Sequence, residues 1–268
     1  QAALQSFNDA LQVAQELGDH NAEGTFLISI GDTQAALGQC NAALDAYNQA
    51  LDVAQELNLP QLENEALANI SQMQRVLGQQ AQVLIAAQQA VTVAQGLKDS
   101  AKESSALLAV GKAYHELGQT DQATQSLAKA RALAQQSKNP ALEGQIVVEL
   151  AKTYRDAGQT DQAIPIFEAA AALAQTANDQ TRQAQLLAEA GKAYAATGKL
   201  DQALQSYNEA LAIIRVVVAP AVEGQLLIGL GAVEQAAGQP EQALQSYQTA
   251  LALAQKNQDS SLEALAQQ

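Results

Sequence analysis

The chain has 268 residues, with 28 acidic residues against 14 Lys and Arg, for a formal net charge of −14. So acidic a surface repels a phosphate backbone, which excludes nucleic acid as a partner class. No apolar run approaches the ~20 residues of a membrane span, and a single cysteine, Cys40, excludes an internal disulfide.

Ala, Gln and Leu dominate, and the only aromatics are six Tyr and three Phe. This composition favours helix throughout. The charge is uneven: all acids and no Lys or Arg up to residue 74, then 13 of each sign over 75–215. No basic segment followed by an apolar stretch opens these residues, so the expectation is a cytoplasmic chain outside the membrane.

In chain order, residues 1–19 read as the second helix of a truncated helix pair. Its Leu4, Phe7 and Leu11 lack the first helix they would pack on, so self-association through that face is one expectation. A full module follows over 20–59, with helices near 21–37 and 41–57 and Gly38 between them. The same pattern returns over 60–99, 100–139, 140–179, 180–219 and 220–259, and residues 260–268 start a further first helix. Gly38, Gly78, Gly118, Gly158, Gly198 and Gly238 are spaced by 40 without an insertion, each where a helix ends in a left-handed residue. Pro60, Pro140 and Pro220 suit the first helical position, whereas "SAKE" at Ser100 and "SSLE" at Ser260 read as capping boxes.

Small residues mark close helix approach. Gly31, Gly111, Gly191 and Gly231 share one position with Ser71 and Ala151. Opposite them in the repeat stand Tyr47, Phe167, Tyr207 and Tyr247, with Ala87 and Leu127 as exceptions. A small residue facing a bulky one every 40 residues is a packing code between paired helices. Module two departs from it, with Gln74 and Ala87 for the aromatics and Val83 for Ala, and reads as the loosest link.

Small–x–x–Tyr, then Gly, then Ala, aromatic and Ala at spacings of 5, 4 and 3 resembles the tetratricopeptide repeat (TPR). The 40-residue period is similar to a longer-helix subgroup that includes Leu-Gly-Asn-repeat adaptors, kinesin light chains and bacterial arrays. The resemblance covers essentially the whole chain. It implies an all-α α-solenoid, a TPR superhelix of six full modules with partial modules at both ends, forming a single domain over 1–268. It also implies a concave groove lined by first helices.

On a helical wheel, positions 27, 28, 30, 31 and 34 of the first helix are apolar or small, and so are 26, 33 and 37, which places Leu37, Leu77 and Leu117 against a neighbouring module. The sector at 25, 29, 32 and 36 stays polar and must face solvent. Along the array, position 32 reads Asp32, Gln72, Lys112, Lys152, Lys192 and Ala232, and position 35 adds Arg75, His115 and Arg155. One reading is a groove that meets an acidic or amide-rich peptide. The other is a solvated face held by i,i+4 pairs, Lys112–Glu116 and Lys152–Asp156, with Ala196 offering Lys192 nothing.

Val216, Val217 and Val218 stand where other modules write polar turn residues, and are either covered by the next module or an exposed contact patch. Nothing pairs a nucleophile with a base, and no metal-ligand cluster accompanies His20, Cys40 or His115. The expectation is therefore a non-catalytic scaffold without cofactor or metal that binds a protein or peptide partner, with a sensory or structural arm of a larger protein as the alternative.

Overall fold

The computed structural model describes residues 2–266, all helical apart from two- and three-residue turns. Residues 267 and 268 of the expected terminal segment lie outside the described residues. The chain divides into two compact units, residues 1–139 and 140–268. The first holds α1 (Ala2–Leu17), α2 (His20–Ala36), α3 (Cys40–Glu56), α4 (Pro60–Val76), α5 (Gln80–Leu97), α6 (Ser100–Glu116) and α7 (Thr120–Gln136). The second holds α8 (Pro140–Asp156), α9 (Thr160–Thr176), α10 (Gln180–Ala196), α11 (Leu200–Val217), α12 (Pro220–Ala236), α13 (Pro240–Asn257) and α14 (Ser260–Ala266). Within each unit every helix packs on the next in sequence, the arrangement of an α-solenoid. First helices also touch one another directly, α2 with α4, α4 with α6, and α10 with α12.

The expected packing code is present. A Cβ built on Gly31 would run into the ring of Tyr47, and one on Gly191 would come within 2.9 Å of the ring of Tyr207. At Gly111 the clash is with Leu127, 2.6 Å away. The bulky partners are interior residues: Phe167 and Leu127 are completely buried, and Tyr207 is 2% exposed. Each such side chain contributes roughly 1.5–3 kcal/mol of burial.

Turns alternate with the helix type they follow. After each first helix a glycine takes the left-handed conformation, with φ between 71° and 76° at Gly38, Gly78, Gly118, Gly158, Gly198 and Gly238. After the second helices the left-handed residue is Gly18 behind α1, at φ 65°, but from there on it is not glycine: Asn58, Lys98, Lys138, Asn178, Val218 and Gln258. A backbone bond from the residue after it back to the helix closes the turn, as from Leu59 N to Ala54 O at 2.8 Å. A side-chain clip spans the same turn: Gln15 to Glu23 at 3.0 Å, Gln55 to Glu63 at 3.1 Å, Gln95 to Glu103 at 2.9 Å. Arg215 replaces Gln in the clip to Glu223 at 2.8 Å. The bond from His20, then that from Gln15, holds the Glu23 carboxyl below its usual pKa.

Two expectations need correction. Ser100 and Ser260 do not cap their helices; each is the first helical residue. The cap is the preceding acid: Asp99 accepts from Ala101 N and Lys102 N at 3.0 Å, and Asp259 from Leu262 N at 3.0 Å. Asp19 and Asp179 do the same for α2 and α10. A carboxylate accepts these bonds and also meets the positive helix end, so it displaces the adjacent hydroxyl. Asp caps and Pro starts thus alternate, giving a superperiod of two modules. The second correction is Leu37 and Leu117, which are 48% and 39% exposed and so are not buried against a neighbouring module. They are C-cap residues, already turned away as the chain leaves the helix.

Gly191→Val should cost about 2 kcal/mol, since the added carbons must displace the Tyr207 ring. Gly144→Ala meets open space inside α8 and should instead stabilise by up to about 1 kcal/mol. Urea unfolding of the two variants measures both.

Val218 sits in the left-handed region at φ 60°, ψ 58° and is 79% exposed. A β-branched residue there carries about 1–2 kcal/mol of strain that burial does not offset. Val218→Gly should raise the thermal midpoint; an unchanged or lower midpoint would show that the strain is absent.

Candidate functional site

The polar sector of the first helices can be followed through the second unit. Lys152 on α8 and Lys192 on α10 occupy the same place in their modules, and Arg155 lies one turn beyond Lys152. On the buried side of α8 and α10, Ile146 and Leu186 anchor the core. Side chains that stand opposite that core must project away from it, which is why the cations share a face.

They border a pocket of about 420 Å³ formed by α8, α10 and α12 above Phe167 of α9 and Tyr207 of α11. Phe167, Leu186, Tyr207 and Leu226 supply its apolar wall. Lys152, Arg155, Arg182, Lys192, Gln185 and Gln225 supply the polar one, with Glu189 as the pocket's only carboxylate. Four cations against one carboxylate give this pocket a local positive charge within a chain of net charge −14.

Glu189 organises the cluster. Its Oε2 accepts from Arg155 Nη1 at 2.6 Å, across from α10 to α8, and its Oε1 accepts from Lys192 Nζ at 2.7 Å. Arg155 Nε also donates to Asp156 at 2.8 Å. Burial works against the Arg155 charge, but the hydrogen bond and charge of Asp156, with the charge of Glu189, outweigh it and raise its pKa. Tyr207 lies beneath, its ring between Gly191 and Gly229. Burial first, and the Glu189 charge second, push its phenol well above the usual range. Elsewhere in this unit, the bond from Tyr194 to Glu168, 2.6 Å long, together with burial, pushes the Tyr194 phenol up to about 12.

Of the residues expected from the sequence, Lys152, Arg155 and Lys192 come together in this pocket. Arg75, Lys112 and His115 belong to the unit of residues 1–139. There Arg75 Nε donates to Glu116 at 3.0 Å, from α4 to α6, and Arg75 Nη1 to Gln72 at 3.4 Å. The i,i+4 pairs are not the ones that form: Glu116 takes Arg75 rather than Lys112, and Asp156 takes Arg155 rather than Lys152. Both acids lie at the helix end, within reach of a longer guanidinium on the same face. Lys192 does have a partner, Glu189, one turn back rather than one turn on.

Val216 and Val218 are 76% and 79% exposed, so of the two readings of that segment the covered one does not hold. Leu11 packs against the core of module one, while Leu4 and Phe7 stay half-buried. Sequence reasoning missed Arg182 and Glu189. Arg182 carried a signal, since Lys102 stands at the same first-turn position two modules earlier. Glu189 did not, because its equivalents are Ser29, Asn69, Ala109, Glu149 and Gly229. Among the described residues no group of three or more His, Cys, Asp or Glu could hold a metal ion. None of the described helices is long and apolar enough to cross a membrane.

Solved structures share this fold. BtubC (BKLC) from P. vanneervenii matches with a TM-score of 0.70 at 19% identity, over 81% of this chain and 91% of that one. A Rap protein complexed with competence and sporulation factor matches at 0.61 and 17% identity, over 94% and 70%. A signal transduction ATPase with numerous domains from Pyrococcus horikoshii, with a tetratricopeptide repeat sensor, matches at 0.78 and 18%, over 96% and 40%. No curated protein sequence matches significantly. A family model for anaphase-promoting complex subunit 5 matches residues 61–104 and 224–267. Tetratricopeptide-repeat models match residues 1–56 and 143–215, and 104–136, which together are more than half of the chain. With its 40-residue helix pairs and its small-facing-large packing, the chain belongs to the tetratricopeptide-repeat family.

Proposed function

We propose that the chain is a non-catalytic protein-interaction scaffold whose first-helix face holds an extended acidic segment of a partner. The observation that carries this reading is the pocket of about 420 Å³, whose lining holds four cations and one carboxylate in a chain of net charge −14. Arg155 and Lys192 share Glu189, whereas Lys152 has no ion-pair partner among the described residues and Arg182 is exposed. Carboxylates of a ligand would compete for Lys152 and Arg182 first, while the Glu189 bridge keeps Arg155 in place. Within the first unit, taken by itself, Lys112, Arg75 and His115 are a separate proposed contact set. The Rap relative, seen with a bound factor, supports a binding role for this fold.

A second reading draws on the Pyrococcus relative, in which the matched segment is part of a longer chain with a repeat sensor. Here the helices act as the sensory arm of a larger protein. An effector domain in the same open reading frame would favour it.

The test is binding of a fluorescent oligoglutamate peptide, followed by anisotropy. Replacing Lys152, Arg182 and Lys192 with Ala should weaken binding at least tenfold and flatten its salt dependence, because screening acts on the charges removed. Unchanged affinity in that variant would overturn the reading. Glu189→Gln separates ligand charge from scaffold. It should tighten oligoglutamate binding by removing the competing carboxylate, while costing under about 1 kcal/mol of stability in a partly exposed pair; weaker binding would count against the assignment.

A further inference from the structure

Module two lacks the bulky side chain that the other modules supply as an aromatic or Leu. At the position of Tyr47 and Tyr207 it has Ala87, and at the position of Gly31 and Gly191 it has Ser71. In module five the Tyr207 ring fills the space between two first helices, with Gly191 on one side and Gly229 on the other. The residues equivalent to those two glycines in module two are Ser71 and Ala109, and both line a cavity of about 110 Å³ between α4 and α6, with Ala87 at its base. The cavity is therefore the place that a tyrosine ring occupies elsewhere in the same chain.

Its walls retain what a phenol needs. Leu67, Ala68 and Ala106 make most of the surface apolar. Ser71 is 3% exposed, and its buried hydroxyl has no hydrogen-bond partner. In module one the Tyr47 hydroxyl donates to Asp32 at 2.7 Å; the equivalent of Asp32 is Gln72, which stands at the mouth of the cavity. Arg75, with a buried Nη2 that lacks a partner, borders it as well and suits the face of an electron-rich ring. The size is in the range of the cavity of about 150 Å³ that takes up benzene when emptied of its side chain.

We propose that this cavity is a preformed subsite for a tyrosyl side chain presented by a bound partner, which completes the packing that Ala87 leaves open. The ring would stack under Arg75, with its hydroxyl between Gln72 and Ser71. The subsite lies in the first unit and stands independently of the basic pocket.

The probe is N-acetyltyrosinamide, with N-acetylalaninamide as control, titrated into the whole chain and followed by amide chemical shifts. Expected are saturable shifts at Ser71, Ala87 and Ala109 with the tyrosine compound and none with the alanine one. Ala87→Phe, which copies the pairing of Phe167 with Ala151, should raise the thermal midpoint and weaken the tyrosine probe at least tenfold. Ala109→Leu, which closes the cavity from its other wall, should weaken it equally and covers a misfolded Ala87→Phe. Absence of saturable shifts in the wild type, or equal binding by a folded filled variant, would overturn the proposal.

Discussion

The contact between a small residue on one helix and a bulky one on its partner governs the rest of this molecule. Where Gly31 admits Tyr47 and Gly191 admits Tyr207, two helix backbones approach closely enough for a short turn to join them. Because the contact recurs every 40 residues, each first helix presents the same sector to the solvent. The fold thereby converts a sequence period into a row of equivalent surface positions. The proposed function rests on departures within that row and not on the period itself.

The fold was legible because its signals are local and repeated. Left-handed Gly38 and its equivalents, Pro60 and Pro220 at helix starts, and the Ala and aromatic rows each appear several times. A chance resemblance at one module cannot survive at six. The sequence misleads where two neighbouring residues could perform one task. Ser100 and Asp99 both have the chemistry of a cap, and only the geometry decides for Asp99. Leu37 belongs to the apolar set by type, yet it falls beyond the last helical residue and becomes exposed.

The site was less legible, for a physical reason. Lys152, Lys192 and Arg155 could be placed on one face by counting along a helix. Their partners could not, because ion pairs form between helices whose separation no local pattern encodes. Arg155 reaches Glu189 across 34 positions of sequence, and Arg75 reaches Glu116 across 41. Glu189 has no repeated equivalent on most of the other first helices, so periodicity offered no means of finding it. The departures from the repeat, Glu189 and Ala87 among them, mark where the scaffold ceases to be generic.

Charge also shapes the expected partner. A chain at −14 repels polyanions at long range, so an acidic segment must be recognised at short range, where the pocket's cations outnumber Glu189. Mapping amide chemical shifts on addition of an oligoglutamate peptide examines this point. If the basic pocket holds the peptide, the shifts cluster on α8 and α10 around Lys152, Arg182 and Lys192. Shifts spread over the chain, or concentrated on the second helices, would rule that pocket out as the binding site.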